Sequence, residues 1–267
     1  MTVWCNGKIV ARLNFDLAER GLLLGDGVFE TLAVHGGKVI WLEEHLARLE
    51  VAAHELGLPA DITAIRVVLL EVLKTSQSQN EVLRITLTRG PTKRGLAASG
   101  ETPSLIISLN PFDATKLPTS VRLATSTIRR NATSPASRLK TLSYIDAIAA
   151  AREVAAHADD ALMLNTEGNV ACSTVANIFM LKDKKLITPD DGQGILKGIA
   201  RGKLIAGGSK LGVNVECRVV RPDELLAVDA IFLTNSLRLA VPVTAIDGAV
   251  CGTRSIDFIK AFLRSES

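Results

Sequence analysis

A chain of 267 residues is long enough for one large domain, or for two smaller ones with substantial cores. Its formal charge of +3, with no Lys/Arg run or aromatic-studded basic stripe, argues against a nucleic-acid partner, and no apolar run reaches the roughly 20 residues that cross a bilayer. Cys5, Cys172, Cys217 and Cys251 form no CxxC pair and no metal spacing with the histidines, so zinc and disulfide scaffolds are set aside. A reduced, cytoplasmic setting without a signal peptide is expected.

Residues 2–11 (TVWCNGKIVA) predict a hairpin turning at Asn6-Gly7. VFETLAV, the pair Gly36-Gly37 and KVIWL predict a second. Leu42, Leu46, Leu49, Ala53 and Leu56 then recur at helical spacing until Gly57 and Pro59 stop the run. A helix over 61–75 leads into a strand at 82–90. The polar loop PTKRGLAASGETP (91–103) precedes a strand at 104–110. PFDATKLPTS (111–120) has two prolines and little periodicity, which divides the chain into a smaller N-terminal domain (1–112), a linker (113–120) and a larger C-terminal domain (121–267).

In the second part VRLATSTI reads as a strand, RRNATSPASRLKTL as an irregular polar stretch and SYIDAIAAAREVAAHA as an alanine-rich helix. LNTEGNVACSTVANIFML (164–181) reads as a hairpin turning at Glu167-Gly168-Asn169. The small residues Ala171 to Ala176 stand where a core-packing hairpin would carry branched or aromatic ones, so something is expected to approach that backbone closely. A strand at KLITP, a Gly-rich turn, a helix over 195–212, the strand VECRVV, a helix near 222–227 and the strand AIFLTN complete the pattern. The strand–helix alternation of a doubly wound sheet is missing, so the class is α+β.

Chemistry concentrates at a few points. Lys140 precedes a small-residue helix; a lysine there is ordinarily solvated, but one turned into a pocket would lose basicity and could form a Schiff base. Tyr144, the only tyrosine, lies four residues on, where a helix would put it on the same face. In DGQGILKGIARGK the glycines 192, 194 and 198 lead into a helix N-terminus, a cradle suited to a phosphate. FLTNSL (232–237) ends a strand on Thr234, Asn235 and Ser236, hydroxyl and amide groups for a second side of that cradle. Arg48 sits among leucines on an amphipathic helix, where a buried guanidinium would seek a phosphate or carboxylate.

Taken together, RGLLLGDGVFET (20–31), EEHLARL (43–49), SRLKTLSYIDAIAAARE (137–153), EGNVACSTVANIF (167–179), GILKGIARGKLI (194–205) and FLTNSLRLAVPVTAIDG (232–248) resemble the fold-type IV pyridoxal-phosphate (PLP) enzymes over essentially the whole chain. That family holds branched-chain and D-amino-acid aminotransferases and 4-amino-4-deoxychorismate lyases. The resemblance implies their two-domain α+β fold, PLP as cofactor, a small-molecule amino substrate and a homodimer. It makes Lys140 the Schiff-base lysine and proton carrier. It assigns the cofactor phosphate to Arg48, the backbone of Ile199 and Ala200, and Ser236, with Leu196, Gly198 and Asn177 in the same cofactor site. Tyr144 would lie near the phenolic oxygen, Phe29 would line the substrate side, and Arg89 and Arg94 are candidates for a substrate carboxylate. Ala200 departs from the threonine usual at its position.

The larger departure is Cys172, which stands five residues before Asn177, where the family has a glutamate opposite the pyridine nitrogen. A thiol is a poor counterion for a pyridinium, and a neutral ring stabilises a carbanion less. This leans the expectation towards elimination, as in the 4-amino-4-deoxychorismate lyases of folate biosynthesis. A branched-chain or D-amino-acid aminotransferase using 2-oxoglutarate is the alternative, and a cofactor-binding relative with lost activity a lesser one.

Overall fold

The computed structural model describes residues 1–97 and 102–267, so 98–101 of the expected 91–103 loop lie outside the described residues. The chain divides into two compact units, 1–116 with 139–143, and 117–138 with 144–267.

The first unit is built on an antiparallel sheet of β1 (Thr2–Cys5), β2 (Lys8–Ile9), β3 (Gly27–His35), β4 (Lys38–Val39), β5 (Asn80–Thr88) and β6 (Ser104–Pro111), in the order β2-β1-β6-β5-β3-β4. Short α1 (Arg20–Leu24) precedes β3, while α2 (Leu42–Glu55) and α3 (Ile62–Leu73) lie between β4 and β5. Strand alternation turns Val28, Leu32 and Val34 of β3 into one core with Leu46, Leu49 and Ala53 of α2 and Ile65, Leu69 and Val72 of α3. Each such aliphatic side chain contributes about 1.5–3 kcal/mol by leaving water. Asp61 caps α3 by accepting from the Ala64 N–H at 2.9 Å, which explains why that helix starts where it does.

Leu139–Ser143 cluster with this first unit, although the sequence reading placed them in the C-terminal domain. The reason is a strand-like pairing along β3. The Phe29 N–H donates to the Lys140 carbonyl and the Leu142 N–H to the Gly27 carbonyl, both at 2.9 Å, and Val28 faces Thr141 in an antiparallel bridge. Gly27 permits that approach, since a Cβ there would stand 2.8 Å from Leu142 Cδ1 and 2.7 Å from the Leu87 carbonyl.

The second unit carries a sheet of nine strands: β7 (Val121–Thr125), β8 (Asp160–Leu164), β9 (Val170–Ser173), β10 (Asn177–Lys182), β11 (Lys185–Pro189), β12 (Asn214–Arg218), β13 (Ala230–Asn235), β14 (Leu239–Ile246) and β15 (Ala249–Val250). Around it run α4 (Pro135–Arg138), α5 (Ile145–Val154), α6 (Ile199–Ala206), α7 (Gly208–Leu211) and α8 (Asp257–Ser265). Most ladders are antiparallel, but β7 runs parallel to both β8 and β14, and β11 to β12. The single hairpin expected over 164–181 is two: β8 pairs with β9, and a second tight turn returns the chain into β10. The small residues therefore form a strand of their own. The expected helix over 195–212 begins only at Ile199: Gly194 takes a left-handed φ of 74°, residues 195–198 belong to no helix or strand, and Gly198 has extended backbone.

Candidate active site

In the first unit the strand period places Glu30 between Val28 and Leu32, on the face that packs against α2, and it is 1% exposed. A charge in an apolar slot needs partners. Arg48 supplies two, its Nε and Nη2 donating to Oε1 and Oε2 at 2.7 Å each, and fully buried His45 a third, its Nδ1 2.7 Å from Oε2. Burial pushes the Glu30 carboxyl up, but the charge and hydrogen bonds of Arg48, helped by His45, outweigh it and hold the group at about 2. For His45 burial wins over Glu30 and the imidazole is pushed down, so the neutral ring donates Nδ1–H to the carboxylate. Its buried Nε2 meets no hydrogen-bond partner among the described residues.

Lys140 belongs to the same group. The Phe29 ring follows from the backbone pairing, and Lys140 Nζ lies 4.3 Å from its centroid, with the Arg84 guanidinium at 3.8 Å. Burial lowers the lysine pKa first, Glu30 pulls it back up, and Arg48 and Arg84 push it down again, leaving about 8. An amine of that basicity is partly neutral near neutral pH and can act as nucleophile or base. Phe29 is buried beneath this amine.

Arg89 has a structural task in place of the substrate carboxylate expected for it. Its Nε donates to Asp26 at 2.8 Å, while Nη2 and Nη1 reach the Leu56 and Gly57 carbonyls at 2.7 and 2.9 Å, capping the C-terminal end of α2. Buried Arg20 binds the same Asp26 at 2.8 Å. Burial raises the Asp26 pKa, but Arg89 and Arg20 outweigh it and lower the group overall. Arg94 is exposed.

In the second unit α6 opens on Gly198, which has extended backbone and no side-chain cap, so the first N–H groups, including those of Ile199 and Ala200, have no partner within the helix. Asn177 at the start of β10 fixes this entrance. Its Nδ2 donates to the Leu196 carbonyl at 2.9 Å, and a Cβ on residue 198 would stand 2.0 Å from its Oδ1, so only glycine fits. Buried Arg201 ties α6 down, with Nη1 3.0 Å from Asp191 and Nη2 donating to the Pro189 carbonyl at 2.9 Å. Asn177 pairs with Thr234 on β13, whose buried hydroxyl meets no hydrogen-bond partner among the described residues, and Ser236 follows in the turn to β14. Uncapped N–H groups, a backbone passage open only to glycine and an orphaned hydroxyl suit a phosphate.

Tyr144 departs from its expected geometry. The segment from Lys140 is not helical, so no shared helical face exists, and Tyr144 is the residue before the first turn of α5. Cys172 lies on β9 between Met163 of β8 and Asn177 of β10, 7% exposed and packed with Ala150 and Val154 of α5. Burial pushes its thiol up, Arg130 draws it down and Asp160 raises it; the balance is upward, so the sulfur is protonated at neutral pH.

Glu30 and His45 escaped the sequence reading. The signal was present: Glu30 occupies an apolar slot in the alternation Val28-x-Glu30-x-Leu32-x-Val34, and His45 lies one turn before Arg48.

A lysine of lowered basicity beside a buried ion pair, and in the other unit a phosphate cradle, are the parts of an enzyme that handles amines through a phosphate-bearing cofactor. The chain belongs to the amino-transferase class IV family, whose model matches residues 27–246. It is 30% identical to a Methanocaldococcus jannaschii protein named "Putative branched-chain-amino-acid aminotransferase", over 100% of this chain and 95% of that protein. The structure of 4-amino-4-deoxychorismate lyase from Pseudomonas aeruginosa matches with a TM-score of 0.87 at 32% identity, covering 98% of each chain. A hypothetical aminotransferase of Mycobacterium tuberculosis in its PLP-bound form matches with a TM-score of 0.88 at 25% identity, covering 100% of both. The protein is accordingly an enzyme of a PLP-dependent family that acts on small-molecule amino substrates. No helix of the described residues is long and apolar enough to cross a membrane.

Proposed function

We propose that this enzyme is a 4-amino-4-deoxychorismate lyase, releasing pyruvate and 4-aminobenzoate in the cytoplasm. The observation that carries this reading is the buried, protonated thiol of Cys172 at the position where the family resemblance implies a carboxylate. Bound PLP supplies an aldehyde that condenses with amines and a ring that draws electrons from the α-carbon. This chain's Lys140 takes and returns the α-proton at Nζ, its basicity lowered to about 8 for that work. In the second unit the N–H groups of Ile199 and Ala200 and the Ser236 hydroxyl would hold the phosphate, and Asn177 fixes Leu196 and Gly198 so that those N–H groups are presented. In the first unit Glu30 fixes the fork of Arg48, the guanidinium that the family resemblance assigns to the phosphate. Tyr144 orients the ring through its phenolic oxygen, and Phe29 shapes the substrate side. A protonated thiol would offer a bound cofactor no negative charge, which favours elimination over transamination.

Pyruvate release from 4-amino-4-deoxychorismate tests the reading, set against a panel of L- and D-amino acids with 2-oxoglutarate. Turnover of amino acids without pyruvate release would establish the second reading, a branched-chain aminotransferase, which the similarity to the M. jannaschii protein supports. If the thiol is what disfavours transamination, Cys172→Glu raises that rate by about tenfold, ~1.4 kcal/mol off the barrier. An unchanged rate with cofactor still bound would count against the electronic argument.

A homodimer completes the proposal. Leu22, Leu23 and Leu24 of α1 are exposed, as is Leu96, which Arg20 draws close by bonds to the Gly95 and Leu96 carbonyls at 2.7 and 3.0 Å. So much exposed leucine suits a second copy of the chain. Sedimentation is expected to give twice the 28.5 kDa chain mass, and Leu23→Glu to give the monomer; a monomeric wild type overturns this part.

A further inference from the structure

The ladder of β13 with β14 closes on the pair Asn235 and Leu239, which leaves Ser236, Leu237 and Arg238 as the turn between them. That turn is held against a backbone preference. Leu239 has φ 58°, a left-handed conformation that crowds its Cβ, and a residue stays there only where its surroundings hold it. Asn235 supplies the hold. Its Oδ1 accepts from the Leu237 and Arg238 N–H groups at 3.1 and 2.8 Å. The other end of the same amide reaches the neighbouring turn, where Nδ2 donates to the Val175 carbonyl at 3.3 Å.

This third bond sets the Ser236 turn against the other side of the phosphate cradle. Val175 lies in the turn that leads into Asn177, and Asn177 fixes Leu196 and Gly198 at the entrance of α6. That neighbouring turn has an anchor of its own, since Asp160 accepts from both the N–H and the hydroxyl of Thr174. The Ser236 turn has none besides Asn235: among the described residues no other side chain bonds its backbone. Loss of the Asn235 amide would therefore loosen Ser236 and leave the N–H groups of Ile199 and Ala200 in place.

We propose that Asn235 is a positioning residue that fixes the Ser236 hydroxyl for the phosphate of the cofactor. This rests on the reading of Ser236 as a phosphate ligand, and not on which reaction the enzyme performs. A residue that merely closed the hairpin would act on stability, and on binding with or without a phosphate alike.

The test is titration of the full-length protein, its cofactor removed, with PLP and with pyridoxal, which lacks the phosphate. Affinities are read from the absorption band of the bound ligand, and folding is checked by circular dichroism. Ser236→Ala is expected to lower PLP affinity about tenfold and to leave that for pyridoxal within about twofold. Asn235→Ala is expected to show the same selective loss, at about fivefold. Added to Ser236→Ala it is expected to cost nothing further, because it acts through that hydroxyl. Asn235→Gln keeps the amide but sets it a methylene too far out to close the turn. It is expected to behave as Asn235→Ala does, and it covers the case in which the alanine variant does not fold. Equal losses for PLP and pyridoxal in either Asn235 variant, an undiminished preference for PLP, or a further loss in the double variant each overturns the proposal. Failure of the phosphate reading is seen separately, as a wild type that binds pyridoxal as tightly as PLP or a Ser236→Ala variant that loses no affinity, and the proposal falls with it.

Discussion

Lys140→Ala is expected to lower turnover by at least about a thousandfold, because on the proposed reading it removes the nucleophile and the proton carrier together. Borohydride reduction of the wild-type holoenzyme is expected to leave the cofactor's mass on the peptide carrying Lys140, and the variant to carry none. Lys140 is well placed for both tasks. Its backbone is pinned to β3 by the Phe29 N–H and its amine rests over the Phe29 ring, so little conformational freedom remains to be lost on reaction. The variant is expected to fold, since alanine keeps the backbone pairing and relieves the burial of an amine. Lys140→Arg is no substitute, because a guanidinium stays charged and cannot take a proton. A Lys140→Ala protein that retained a tenth of wild-type turnover, in order-of-magnitude terms, would remove Lys140 from the chemistry.

The second large effect is on stability. Glu30→Ala is expected to cost about 3–5 kcal/mol, measured as a fall in the urea midpoint at constant slope, because it strips Arg48 and fully buried His45 of their shared acceptor. The pH dependence gives an independent estimate. A carboxyl held at about 2 against an ordinary 4.5 contributes about 3 kcal/mol. The sign follows from the lowered value. The contribution is complete above the ordinary carboxylate range and is lost as pH falls from 4.5 towards 2, so wild type and variant converge in stability across that window. A stability gap that stayed constant down to pH 2 would show that Glu30 contributes by packing alone. Arg48 is 15% exposed and can recover some hydration in the variant, which draws the expected cost towards the lower figure.

Much of the fold is legible from local pattern. The hairpin at Asn6-Gly7 forms where an Asn-Gly pair permits positive φ, at 41° and 104°. Helix α2 follows the leucine spacing, and its last turn ends before Gly57, as the glycine requires. Where local pattern failed, a distant partner had intervened. The stretch 195–198 has helical propensity but stays outside the helix, because Asn177 takes the Leu196 carbonyl and lets no side chain stand at 198. Lys140 and Tyr144 look like successive turns of one helix, but β3 captures the first as strand and only after Tyr144 does α5 begin. The small residues at 171–173 read as part of one hairpin's returning arm and became a separate strand because β8 and β10 both pair with them.

By itself the sequence determined the class of the enzyme and its cofactor, because six short motifs in order each constrain a backbone shape or a chemical group that substitution would destroy. It also exposed the Cys172 anomaly, since a residue's identity is read without knowing its surroundings. What only the tertiary structure decided is charge. Whether Lys140 is basic, whether Arg89 is spent as a helix cap and whether the Cys172 thiol ionises depend on burial and on groups brought from tens of residues away. Those energies arise from distances in space and from exclusion of water. Glu30 shows the difference: in the chain it is one more acidic residue in a strand, and in the fold it is the buried anion on which Arg48 and His45 converge.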